Sequence, residues 1–303
     1  MDACLLVLVG ALAWLVWSRR LALLRPMPVV LGLAAVAAAW LVFLLAWGWH
    51  YQVPTVEVRL GLTPAEVTVE RGEAFAAGLV AQLNALHGAA HAAGFPSRPE
   101  LPSVLAPLMA DALSQVGQPW TPWLPRPRRT MLDVYFRNAG IDGMTNPFGL
   151  EVLLNSRVLP MELPALAAHE YAHLAGFADE ADASIVAWLA CQRGSAALKY
   201  SSGLAVLPHV LTGLDRERRQ RVLAALGEGP RADLRAIAAR LAEQRPWVQL
   251  IAWQTYDRFL KANRVAEGVA RYDAVARVLV GAGDIVSGTL RRRPSPWPAP
   301  RRR

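Results

Sequence analysis

The sequence predicts a mainly α-helical protein, with two N-terminal transmembrane helices followed by an α-rich domain that has at most a small β element. Three observations carry that expectation. The apolar fraction of 54% lies above the range of ordinary globular chains. The excess is concentrated in two uncharged runs, Ala3 to Trp17 and Val29 to Trp49. Beyond Leu163 the apolar residues recur at helical spacing almost to the end of the chain.

The second run matches the roughly 20 residues needed to cross a bilayer. The first extends toward Leu24 if Arg19 and Arg20 reach back to the interface. A cleavable signal would begin with a basic stretch, whereas Asp2 precedes this run and the arginines follow it. The expectation is a hairpin over residues 1–50, with spans at about 3–24 and 29–49. Arg19, Arg20 and Arg25 crowd the connection, which is therefore expected to be cytoplasmic. That implies a multi-pass protein of the cell inner (cytoplasmic) membrane with residues 51–280 as an extracytoplasmic domain. Residues 281–303, rich in Arg and Pro, read as a disordered tail.

The formal charge of +8 sits largely in the hairpin loop and the tail, and no basic stripe interleaved with aromatics marks the domain. Nucleic acid is therefore not expected as a partner, and the membrane surface is. Cys4 and Cys191 are too far apart in the plan to pair, and neither has metal-motif spacing.

Within the domain, Phe75, Leu79, Val80, Leu83 and Leu86 predict a helix from Glu70 to about Ala93, stopped by Gly94 to Pro96. The prolines from Pro96 to Pro127 leave room for one short helix at Val104 to Val116. Met131 to Phe136 fits strand or helix, Gly140, Gly143, Asn146-Pro147 and Gly149 mark turns, and Leu150 to Leu154 reads as a short strand. Helices follow near Pro164 to Ala175, Glu180 to Leu198, Asp215 to Leu226, Arg231 to Gln244, Trp247 to Ala262 and Val269 to Val280.

The chemistry is concentrated in His169-Glu170-Tyr171-Ala172-His173, an H-E-x-x-H pattern on a helix opened by Leu163-Pro164. Histidines four apart stand one above the other on a helix face, so both imidazoles can hold one zinc ion, with Glu170 beside them as general base. A third ligand is needed. Glu180 would lie roughly 10 Å past His173 on a straight helix, out of reach, so the helix must turn back. Gly176 can end it in a left-handed conformation, and Asp179 can cap a new helix starting at Glu180. Glu180 is then the expected third ligand and Asp179 the alternative. Asp182 is expected to support a histidine N–H. Tyr200 is a candidate for stabilising an oxyanion. His209, and His87 with His91, read as surface or packing residues, the pair lacking an acid nearby in sequence.

The chain resembles a bacterial family catalogued as domain of unknown function 3810 and regarded as membrane-anchored zinc peptidases. The resemblance runs through Trp47-Gly48-Trp49-His50-Tyr51, Gly143 to Phe148 followed by Glu151, Leu163-Pro164, Gly176-Phe177-Ala178 with Glu180, Lys199-Tyr200-Ser201, Tyr256-Asp257, Leu260-Lys261 and Gly268. It implies a zincin-like fold. The family's usual residue at Asp179 is basic, which favours Glu180 as ligand. Asp182-Ala183-Ser184 stands for a family E-A-N triplet, and Gly149-Leu150 for a family Thr-Gly.

The expected function is a zinc metallopeptidase carrying one ion and acting on a peptide or protein substrate, with strand Leu150 to Leu154 pairing to an extended chain. The alternatives are a metal-dependent amidase acting on cell-wall peptides and a non-catalytic membrane protein with a structural metal site.

Overall fold

The computed structural model describes residues 27–62, 67–118, 120–250, 252, 254, 273–284 and 289–290. Helix α1 (Met27–Ala46) leads through a 3-10 turn at Gly48–Gln52 and the single-turn α2 (Val56–Arg59) into the domain. There follow α3 (Val69–Ala93), α4 (Leu101–Gln115), α5 (Asp133–Ala139), β1 (Gly143–Asn146), β2 (Glu151–Leu154), α6 (Leu163–Leu174), α7 (Glu180–Gln192), α8 (Ala196–Thr212), α9 (Arg216–Ala224), α10 (Glu228–Ala242) and α11 (Asp273–Ala282). A short antiparallel pair, β3 (Gly283–Asp284) and β4 (Thr289–Leu290), comes last.

The helical domain with a small sheet agrees with the sequence reading, but the membrane hairpin and the multi-pass, extracytoplasmic placement do not stand. Among the described residues no helix is long and apolar enough to cross a membrane. Residues 3–24 lie outside the described residues. The end of the expected second span leaves the helix for the 3-10 turn, and Phe43 is buried, its ring 6.3 Å from that of Phe148 in the domain.

The core is organised around α7, which is buried on nearly every face. Small residues at Ala181, Ala183, Ala187 and Ala190 let its neighbours approach, while Ile185, Trp188 and Leu189 fill the space between them. An element apolar all round belongs in a protein interior. Helix α3 packs its Phe75, Leu79 and Leu83 row toward α7 and α8, with Phe75 and Trp188 in ring contact at 6.3 Å. Gly203 of α8 allows a close approach, since a Cβ there would sit 3.0 Å from the Leu83 side chain.

Several boundaries shift for local reasons. The single helix expected from Glu180 to Leu198 is broken at Arg193 to Ser195, and α8 extends to Thr212. Ser201-Ser202-Gly203 and Pro208 conceal its periodicity, and burial of Leu204, Leu207 and Val210 offsets their weak helix propensity. The ambiguous segment at Met131 to Phe136 resolves as α5, ended by Gly140 at φ 74°. Most of the helix expected at Trp247 to Ala262 lies outside the described residues, as do residues 291–303 of the tail, while β3 and β4 form inside the stretch expected to be disordered.

Gly143 to Asn146, read in sequence as turns, is a strand paired antiparallel to β2 with Gly143 opposite Leu154 and Asn146 opposite Glu151. On its other edge β2 exchanges hydrogen bonds with Arg128, whose N–H donates to Val152 O (2.8 Å) and whose carbonyl accepts from Leu154 N (2.9 Å). One buried cation ties this hairpin to the helices. Arg240 of α10 donates to both carboxylate oxygens of Asp142, at 2.7 and 2.9 Å, and to Glu162 at 2.6 Å. These contacts fix the residue before β1 and the residue before α6 to one guanidinium.

The turn between the strands carries the one positive φ among non-glycine residues described, Leu150 at 48°. The residue is 62% exposed, so little packing offsets the strain. The glycine usual at this place in the resembling family would adopt that conformation freely. Leu150→Gly should raise the unfolding free energy by about 0.5–1 kcal/mol, relief of left-handed strain outweighing the added chain entropy of glycine. Urea denaturation of the two proteins checks it, and a loss of stability would refute the strain.

Candidate metal centre

Helix α6 opens with Leu163-Pro164, where proline costs nothing because the first N–H groups have no intrahelical partner. Its end is a Schellman turn. Gly176 N–H donates to His173 O (2.9 Å), Phe177 N–H donates to Ala172 O (3.2 Å), and Gly176 takes φ 97°. The side chain of Asp179 then accepts from the N–H groups of Ala181 and Asp182 and caps α7. With the chain reversed in this way, the start of α7 faces the last turn of α6.

The reversal brings three donors together. His169 Nε2 and His173 Nε2 lie 3.1 Å apart, and Glu180 Oε2 lies 3.1 Å from the first and 3.6 Å from the second. Each ring is held by its other nitrogen. His173 Nδ1 lies 2.6 Å from Phe177 O, and His169 Nδ1 lies 3.2 Å from Ser184 Oγ. Nδ1–H bonded to a carbonyl leaves the Nε2 lone pair of His173 pointing at the shared space, the tautomer a metal requires. Four donors about 2.0–2.1 Å from a tetrahedral zinc stand roughly 3.3 Å from one another. The separations here fit such an ion without rearrangement.

The two carboxylates are driven in opposite directions. Burial alone would raise Glu180, but the charges and hydrogen bonds of His173 and His169 overcome it and hold its carboxyl well below the usual range. Burial raises Glu170, and the neighbouring histidines only partly oppose this. His173, which burial would lower, is raised to about 9 by Glu180, Glu170 and the Phe177 carbonyl. Glu170 does not join the cluster of donors. Thr145 Oγ of β1 lies 2.8 Å from its Oε2 and 2.9 Å from its backbone carbonyl, so the single hydroxyl proton serves one of them at a time.

The structure therefore brings His169, His173 and Glu180 together, with Glu170 alongside. It does not bring Asp179, which caps α7, nor Asp182, which lies two residues round the helix from Glu180 and accepts from Val56 N–H at 3.0 Å. Ser184 and the Phe177 carbonyl hold the imidazoles instead. Tyr200 is also elsewhere: its hydroxyl donates to Asp233 at 2.5 Å.

A wall that the sequence reading did not assign to the site comes from the 3-10 turn. The Trp47 ring lies 5.7 Å from that of His173, and its indole N–H donates to Tyr51 Oη at 3.3 Å. Burial first, and then the charges of Glu180 and Asp179, push the Tyr51 phenol up to about 12, with the Trp47 N–H pulling the other way. His50 lies against Gly176, where a Cβ would come within 2.8 Å of its Cδ2, and burial lowers its pKa. Only the aromatic run Trp47 to Tyr51 itself could have hinted at this, since its partners lie more than a hundred residues away.

Gly143 is the tightest backbone approach to the centre, because a Cβ there would overlap the Glu170 carboxyl. Gly143→Ala should cost about 1–3 kcal/mol of stability, as overpacking a filled interior does. Thermal or urea unfolding checks this, and a neutral outcome would mean that Glu170 is free to move aside.

No curated protein and no solved structure matches the chain. One protein-family model, described as Protein of unknown function (DUF3810), matches residues 3–280. With nearly its whole length covered, the chain belongs to the DUF3810 family.

Proposed function

We propose that this protein is a zinc-dependent peptidase whose metal is held by His169, His173 and Glu180 and whose proton carrier is Glu170. One observation carries the reading: two ring nitrogens and an ionised carboxylate converge within 3.1–3.6 Å beside a second carboxylate whose proton affinity burial has raised. Two carboxyl groups in one site with opposed pKa shifts suit divided roles, one an ionised ligand and the other a proton carrier. A zinc ion on these three donors would polarise a substrate carbonyl and make a bound water acidic near neutral pH.

The remaining work falls to the chain itself. Glu170 takes a proton from the attacking water and returns it to the leaving nitrogen, and its raised pKa suits both halves of that transfer. Thr145 holds the carboxyl in place, and Gly143 leaves room for it. Trp47 excludes water from the His173 side. Tyr51 supplies the hydroxyl that donates to the developing oxyanion, the role expected of Tyr200 from its place in the chain. Its oxygen accepts from the Trp47 indole N–H, which orients the phenol beside the donors.

Substrate pairing moves from β2 to β1. Both edges of β2 are taken, by β1 and by Arg128, whereas β1 lies next to Glu170 and has no second strand neighbour among the described residues. An extended peptide laid along β1 would pass the two carboxylates in register.

Two sets of variants test the proposal. Glu170→Gln should abolish peptide hydrolysis, by at least about 100-fold in kcat, while zinc bound at the three donors is unchanged. Glu180→Ala should lose that zinc and activity together. Full peptidase turnover in Glu170→Gln would remove the reading. For the oxyanion, Tyr51→Phe should lower kcat by about 10- to 1,000-fold with KM little altered, and Tyr200→Phe should leave kcat within a few-fold. A reversal of that order would return the role to Tyr200.

A further inference from the structure

A second group of convergent donors lies away from this centre. His87 and His91 stand one turn apart on α3, with ring centroids 4.5 Å apart, against 4.7 Å for His169 and His173. The sequence places no acid near them, but the fold does. Asp233 of α10, 142 residues beyond His91, sets Oδ2 2.8 Å from His91 Nε2 and 3.7 Å from His87 Nε2. The Tyr200 hydroxyl donates to the same carboxylate oxygen at 2.5 Å, and the Tyr200 ring meets both imidazoles edge-on.

We propose that His87, His91 and Asp233 form a second zinc site, one that fastens α3 to α10 and does no hydrolysis. The carboxylate separations, 2.8 and 3.7 Å, straddle the roughly 3.3 Å edge of a zinc tetrahedron. Two imidazoles and one carboxylate suit a borderline ion such as zinc, where magnesium or calcium would take an all-oxygen set. The imidazole side chains are 31% and 40% exposed and Asp233 is 11% exposed, so an ion can enter from solvent and keep a corner open to it. Tyr200 orients the carboxylate, the part an outer hydrogen-bond partner plays at a metal site. Gly229, where a Cβ would overlap the His87 ring, allows the first turn of α10 to come this close.

What separates the two sites is the residue after the first histidine. It is Glu170 in one and Gly88 in the other, so the second site has no carboxylate in the position of a general base. Its contribution is to stability, because an ion bound only in the folded state favours folding by mass action.

The test uses the full chain, stripped of metal and titrated with zinc against a chromophoric chelator, with melting temperature followed in parallel. The Glu180→Ala variant should still take up one equivalent and melt higher with zinc. Adding His87→Ala and His91→Ala should abolish both effects, although these half-exposed changes leave the fold intact by circular dichroism. Tyr200→Phe should weaken the retained equivalent about 10- to 100-fold. No zinc uptake and no shift in melting temperature by Glu180→Ala would overturn the proposal, as would uptake that survives the His87 and His91 substitutions. Failure of the first centre would read differently, with the His87/His91 double variant taking up no zinc while wild type takes up one equivalent.

Discussion

The site depends on one backbone event, the left-handed turn at Gly176. Helices α6 and α7 would otherwise form a continuous rod, with Glu180 about two turns beyond His173. A residue at φ 97° reverses the chain within three residues, and the Asp179 cap starts the new helix by accepting from the N–H groups of Ala181 and Asp182. Glycine is required there twice over, by the dihedral and by the ring of His50 lying against it. The convergence of His169, His173 and Glu180 is therefore set by local backbone chemistry before any long-range packing is considered.

Packing then decides the electrostatics. A carboxylate placed between two imidazoles stays ionised, and one placed under a β-strand hydroxyl in a dry interior does not lose its proton easily. Glu180 and Glu170 differ in just this way, although they are the same residue type and lie ten positions apart. Burial makes the difference, and Thr145 of β1 works against it, since its hydroxyl bonds the Glu170 carboxyl and lowers its proton affinity. The Arg240 guanidinium in turn holds the start of β1 and the start of α6 to a common point, so the strand and the helix bearing Glu170 keep their register.

What could be read from the sequence was the part written at short range. His169, Glu170 and His173 share a helix face because of their spacing, and Gly176 and Asp179 announce a stop and a start within four residues. Helices such as α3 show in the recurrence of Phe75, Leu79 and Leu83. The rest was encoded at long range. Strand β1 exists because it pairs across a strained turn, so its own residues read as loop. Tyr200 was assigned by type and position in the chain, while its actual partner, Asp233, sits on another helix. The apolar run of α1 suggested a bilayer through its length and lack of charge, and neither reveals that Phe43 finds its neighbour in the domain.

The turn carrying Trp47, His50 and Tyr51 bears on where the working unit begins. A boundary drawn at residue 50 by hydropathy would cut through one wall of the candidate site. It would expose the flank of His173, remove the side chain seated on Gly176 and leave Tyr51 as a ragged terminus without its indole. Truncated protein made that way would test a damaged site, and inactivity in it would say little about the intact molecule. A fragment intended for biochemistry should start upstream of Phe43, so that the helix end and the turn it orients are carried along with the chemistry they enclose.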